Sequence, residues 1–208
     1  MSEYFVPAGS GEAEFVEKRS SFLGHVRFVE TEDAAREFIN EMKKKHYDAR
    51  HNCWCYIIRG GAVRYSDDGE PQGTAGLPML EVFKREGVEN VVCVVTRYFG
   101  GVLLGTGGLL RAYTKSAKDA LDAAGIAAVR RWVKLEAACP YSLLERMKTE
   151  CLALAGAVSD VEYGADVRMT FLLPESRSEE FQARVTELSA GQSSAQAVGE
   201  ELMPVRVK

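Results

Sequence analysis

Apolar positions along the chain switch between alternation and helical spacing, which predicts interleaved strands and helices. Residues 15–29 read as a strand or bent hairpin, with Val26 and Phe28 alternating against Arg27 and Val29. Thr31 then stands at a helix N-cap position, with Glu32 and Asp33 at the positive end of the dipole. Ala35, Phe38, Ile39 and Met42 recur at helical spacing and mark its buried face. Lys43-Lys44-Lys45 falls at the C-terminal end, where cations suit the dipole and a solvated helix end explains the run. Cys53 to Ile58 predicts a strand, and Ala62 to Tyr65 its hairpin partner through Gly60-Gly61. Ser66 to Gly76 predicts a loop, and the short helix after it ends near Gly87. Val91 to Val95 is an apolar run, valine at every position but Cys93, and predicts a central strand covered on both faces. Leu109, Tyr113, Ala117 and Leu121 share one helical face that ends at the C-cap candidate Gly125.

A boundary is expected near Val129-Arg130-Arg131, dividing the chain into residues 1–130 and 131–208. The second part carries its own pattern. Lys134 to Ala138 predicts a strand, and Ser142 to Glu145 has the capping-box form. Leu143, Leu144, Met147, Cys151 and Leu154 follow at helical spacing. Val158 to Tyr163 and Val167 to Leu173 predict two strands around Gly164. Ser176 to Glu179 is a second capping-box candidate ahead of Phe181, Val185 and Leu188. A last strand, broken or bulged, is expected over Ala195 to Val207. The order βαββαβ is that of a ferredoxin-like domain, so the fold class is α+β.

Composition narrows the picture. The chain has 208 residues, 46% apolar and 27% charged, as a soluble globular protein has. Its formal net charge of −4 marks no general polyanion binder, although a local basic patch is compatible with it. The five cysteines form no C-x-x-C pair and no zinc spacing, and read as reduced, buried thiols. Cys53 and Cys55 share a face if they lie on a strand. The N-terminus lacks a signal-peptide pattern and no apolar run spans a membrane, so a cytoplasmic protein without membrane contact is expected.

Three segments can carry chemistry. The segment Arg97 to Tyr113 holds Gly100, Gly101, Gly105, Gly107 and Gly108 between Arg97 and Arg111. Free backbone amides, a helix start and guanidiniums make an anion site, and the glycines equally allow tight packing of strand, turn and helix. The spacing is neither G-x-G-x-x-G nor G-x-x-x-x-G-K-[S/T], which argues against ATP and NAD. Tyr98, Phe99 and Tyr113 add stacking surfaces for unpaired bases, while Tyr113 also suits the helix core. The loop Asp67-Asp68-Gly69-Glu70-Pro71 offers three carboxylates for a hard cation or for acid–base work, or simply for a turn and a cap. In Asp48-Ala-Arg-His-Asn52, Arg50 can bind phosphate and His51 can act as base, ligand or hydrogen-bonded structural residue. No G-x-S-x-G occurs, and no catalytic residue, metal ligand or cofactor is assigned.

Together these three segments resemble the YigZ/IMPACT family, and the C-terminal pattern is similar to its bacterial two-domain branch. The resemblance implies a first domain of the ribosomal-protein-S5-domain-2 type, like domain IV of the translocation elongation factor, and a second like that factor's domain V. It also implies a link to translation regulation, known from the eukaryotic branch. The leading expectation is a non-enzymatic protein that binds RNA or the ribosome. Its anion contacts would be Arg50, His51, Arg97, the five glycines and Arg111, with Asp67, Asp68 and Glu70 of unassigned role. The alternatives are an enzyme for a phosphorylated or nucleotide-like substrate, and a module that docks a translation-related protein.

Overall fold

A computed structural model describes residues 3–208. The chain divides into two compact units, one holding Tyr4–Val129 with Pro204–Lys208, the other holding Arg130–Met203 with Glu3.

The first unit opens with β1 (Tyr4–Pro7), β2 (Gly11–Glu17) and β3 (Ser20–Phe28). The expected bent hairpin is β2–β3, and its turn is Lys18-Arg19, both at positive φ, as a two-residue hairpin turn demands. The first helix, α1 (Glu32–Lys45), begins as expected, because Thr31 Oγ1 accepts from the Ala34 amide at 3.1 Å. It is followed by β4 (His51–Ile57), β5 (Val63–Ser66), α2 (Gly76–Glu86), β6 (Val91–Tyr98) and α3 (Thr106–Ala124).

The five strands β2, β3, β6, β4 and β5 pair antiparallel in that order, with β6 in the middle. Its valines explain the position. Val92 and Val94 pack under α1 with Phe38, Ile39 and Met42, and Val91, Cys93 and Val95 pack under α2 and α3 with Cys53 and Cys55. Glycine lets α3 lie close on β2 and β3. A Cβ on Gly24 would stand 2.5 Å from the Ser116 carbonyl oxygen, and one on Gly11 2.2 Å from that of Ala120. This close seat sets the depth at which Tyr113 enters the core.

The long strand β7 (Ile126–Cys139) pairs with β1 over Ile126–Val129 and with β9 over Trp132–Cys139. The second unit continues with α4 (Leu144–Ala153), β8 (Ala157–Tyr163), β9 (Val167–Pro174), α5 (Glu175–Leu188) and β10 (Gln196–Arg206). Its strand order β10-β7-β9-β8 is the fourth-first-third-second arrangement of a ferredoxin-like unit. Met147, Cys151, Phe171, Phe181 and Val185 lie in its core.

Both capping boxes of this unit are corrected. Pro140 leads into a short 3-10 turn, Tyr141–Leu143, so Ser142 lies ahead of α4. Pro174 occupies the N-cap of α5 and places Ser176 inside the helix. Neither helix has a side-chain cap. The last strand is continuous over Gln196–Arg206.

Candidate functional site

The acidic loop joins β5 to α2, and Asp68 and Gly69 turn it at positive φ. Its three carboxylates face three different tasks. The Asp67 carboxylate accepts from the amides of Gly73 at 2.9 Å, Ala75 at 3.0 Å and Gly76 at 2.8 Å. It thereby supplies both the hydrogen bonds and the negative charge that the start of α2 lacks. The Asp68 carboxylate accepts from the Asn52 amide and from Lys43 Nζ, both at 2.7 Å. Among the described residues no group of three or more His, Cys, Asp or Glu side chains can hold a metal ion.

Glu70 turns into the protein. Its Oε1 accepts from Arg97 Nη1 of β6 at 2.6 Å and from the Tyr113 hydroxyl of α3 at 2.9 Å. His51 Nε2 of β4 stands 3.9 Å from the same oxygen. The register explains the meeting, because His51 and Arg97 are directly opposite on β4 and β6. The Glu70 and Arg97 side chains are 3% and 6% exposed. Burial pushes the Tyr113 hydroxyl far above its usual range, so it stays protonated and donates. Arg97, expected at a phosphate, is instead enclosed: its Nη1 is bonded to Glu70, its Nε is buried without a hydrogen-bond partner, and its guanidinium lies 5.4 Å from the Phe22 ring centre. His51 Nδ1 donates to the Asp68 carbonyl at 2.8 Å, which fixes the ring within the scaffold.

The neighbouring residues knit the same region. Thr96 Oγ1 donates to Asn52 Oδ1 at 2.7 Å, and Cys53 Sγ points to the Asp67 carbonyl at 3.0 Å. The Tyr98 hydroxyl donates to Asp48 Oδ1 at 3.1 Å and therefore accepts from His46 Nδ1 at 3.0 Å. The His46 ring lies 5.5 Å from that of His25, a pairing no sequence pattern signalled. Burial lowers the pKa of both, against the opposing pull of Glu12 on each and of Asp48 on His46.

The glycines divide by task. A Cβ on Gly100 would stand 2.0 Å from the Arg19 carbonyl carbon, so Gly100 permits the contact between this segment and the β2–β3 turn. Gly101 and Gly105 adopt positive φ and shape the loop between β6 and α3. Gly107 and Gly108 lie in the first turn of α3, which has no side-chain cap and no acidic residue. The loop lifts Leu103 to 82% exposure.

The exposed cations are elsewhere than the glycines alone suggested. Arg111 projects from the second turn of α3, its Nη1 3.6 Å from where a Gly107 Cβ would be. With Lys18 and Lys115 it lines a pocket of about 280 Å³, walled by Phe15 and Leu104, with Glu17 as its one carboxylate. Lys115 pairs with Asp119 at 2.7 Å, whereas Lys18 and Arg111 have no ion pair among the described residues. Lys18 escapes a sequence reading because it belongs to a hairpin turn that only strand pairing brings beside α3. Arg50 is exposed and its guanidinium lies 5.8 Å from the centre of the Phe99 ring, which is exposed as well.

Comparison with known proteins matches the two halves of the chain separately and together. The model of the Impact N-terminal domain matches residues 18–121, and that of a domain of unknown function, DUF1949, matches residues 138–192. IMPACT family member YvyE of Bacillus subtilis (strain 168) is 37% identical over 195 residues, covering 93% of this chain and 90% of that protein. IMPACT family member YigZ of Escherichia coli (strain K12) is 32% identical over 206 residues, covering 96% of this chain and all of that one, 100%. A crystal structure of a hypothetical protein is similar at 30% identity with a TM-score of 0.60, covering 96% of this chain and 98% of that one.

Proposed function

The chain belongs to the IMPACT family, and from that membership we propose that it is a cytoplasmic RNA-binding protein of translation that holds phosphates rather than transforming them. The observation that carries this reading is the pocket beside α3, where Lys18 and Arg111 converge with Lys115, itself paired with Asp119, and Glu17 is the one carboxylate of the lining. Lys18 and Arg111 are exposed cations without an acidic partner among the described residues, the state in which a cation is free to replace a phosphate's counterions. Arg50 beside Phe99 offers a second candidate contact, a guanidinium and an aromatic ring, the two planes on which unpaired bases stack. The carboxylates that an enzyme would need are engaged: Asp67 caps α2, Asp68 holds Asn52 and Lys43, and Glu70 holds Arg97 and Tyr113. The family's link to translation, implied by the sequence motifs, supplies the setting. No helix among the described residues is long and apolar enough to cross a membrane.

The test is the salt dependence of single-stranded RNA binding, read by fluorescence anisotropy. Affinity falls steeply with salt, and each lost phosphate contact reduces the log–log slope by roughly 0.7. Arg111→Ala and Lys18→Ala each weaken binding and flatten the slope. Unchanged affinity and slope in the double variant reject this site.

A further inference from the structure

The pocket beside α3 differs from a track along which a nucleic-acid backbone would run. Phe15 and Leu104 wall it, and Lys115 Nζ stands 5.3 Å from the centre of the Phe15 ring, so cation and aromatic wall meet inside it. At about 280 Å³ its volume suits one phosphate with its adjoining sugar, not a run of nucleotides. Its lining holds three cations and one carboxylate, Glu17. An internal phosphodiester brings one negative charge, while a phosphomonoester brings close to two and three equivalent acceptor oxygens. Lys115 is already paired with Asp119, so Lys18 and Arg111 are the two unpaired cations left to meet the monoester's charge and its three oxygens. The cations also come from two elements, Lys18 from the β2–β3 turn and Arg111 and Lys115 from α3, so they approach a terminal phosphate from different sides.

We infer that this pocket takes a phosphomonoester, carried on an RNA end or on a free mononucleotide, in preference to an internal phosphodiester. The inference rests on the phosphate-binding reading above and narrows it to one ligand class.

The experiment uses the full chain and one short single-stranded RNA in three forms: 5′-phosphorylated, 3′-phosphorylated and hydroxyl-ended. AMP serves as competitor. The expected result is that one phosphorylated form binds roughly tenfold tighter than the hydroxyl-ended form, as an added charge-assisted contact set gives. Lys18→Ala with Arg111→Ala abolishes that preference, and Lys18→Glu reverses it. These side chains are exposed, so circular dichroism should show intact folds. Displacement of the phosphorylated RNA by millimolar AMP assigns the site to free mononucleotides as well, and resistance to AMP assigns it to RNA ends. Equal affinity for all three RNA forms overturns the monoester inference and leaves general phosphate binding standing. Binding of AMP without any RNA binding keeps the pocket's ligand class and overturns the RNA reading. Absence of binding to every probe overturns both.

Discussion

Arg97 Nη1 and Glu70 Oε1 are bonded at 2.6 Å across 27 residues of sequence, with both side chains almost wholly withdrawn from water. One partner without the other leaves a buried charge uncompensated. Glu70→Ala should therefore cost about 3–5 kcal/mol, and Arg97→Ala a comparable amount. The double variant should cost much less than the sum, because it removes the stranded charge as well. Urea unfolding of the four proteins measures the coupling, and additive losses would show that the pair is not a unit.

Asp67 is the cap of α2 supplied from outside the helix, with three amides on one carboxylate. Asp67→Ala should destabilise by about 1–2 kcal/mol, and Asp67→Asn by less, since the amide oxygen still accepts. The urea midpoint resolves the order of the two.

His25 and His46 give acid sensitivity. Burial holds the pKa of each below 6.5, and the charged groups facing them are Glu12, Lys45 and Asp48, with the neutral Tyr98 hydroxyl between His46 and Asp48. Above pH 6.5 both states carry neutral rings and the pair adds no pH slope. As pH falls below 6.5 the unfolded chain takes up protons before the folded one, so stability falls with it until the lowered values are reached. Unfolding midpoints at pH 7.5 and 5.5 should differ, and less so in His25→Gln and His46→Gln. A slope that both variants leave intact would assign the effect to other groups.

The five cysteines are buried and unpaired. Burial pushes the Cys53 thiol well above its usual range and that of Cys151 to about 11, so little thiolate forms at neutral pH. Ellman's reagent should label the native protein very slowly and all five thiols at once on unfolding. Prompt labelling of Cys53 or Cys151 in the folded state would contradict this packing.

Gly24→Ala tests the seat of α3. The added methyl meets the Ser116 carbonyl oxygen at 2.5 Å, backbone that cannot step aside cheaply. Destabilisation of about 1–3 kcal/mol is expected. Gly101→Ala meets no atom within 4 Å and is strained only by its φ of +82°, so it should cost about 1–2 kcal/mol. Thermal or urea unfolding separates the two.

Local physics was readable wherever a residue answers to its own segment. Thr31 caps α1 because its oxygen needs only the amide three residues on, and the valines of β6 declare burial on both faces by themselves. Gly125 ends α3 with positive φ, as its place after the last apolar position implied. The failures are of another kind. Ser142 and Ser176 match a capping pattern, but each follows a proline that sets where the turn begins, and the pattern does not weigh it. The meeting of His51 with Arg97 depends on the register of β4 against β6, that of Glu70 with Arg97 on the path of the β5–α2 loop, and that of His25 with His46 on where α1 ends beside β3. Lys18 reaches Arg111 only because Lys18-Arg19 is a tight hairpin turn. Each of these is a long-range placement, invisible to spacing.

The first unit is built from two stretches of chain, Tyr4–Val129 and Pro204–Lys208, and the body of the second unit, Arg130–Met203, is made between them. The Ile126 amide donates to the Lys208 carbonyl, and the Val207 and Lys208 amides donate back to Ile126. During synthesis the first unit must therefore wait, incomplete beside Ile126, while more than seventy further residues (Arg130–Met203) are made and folded. The unit whose body is made first is thus the one finished last.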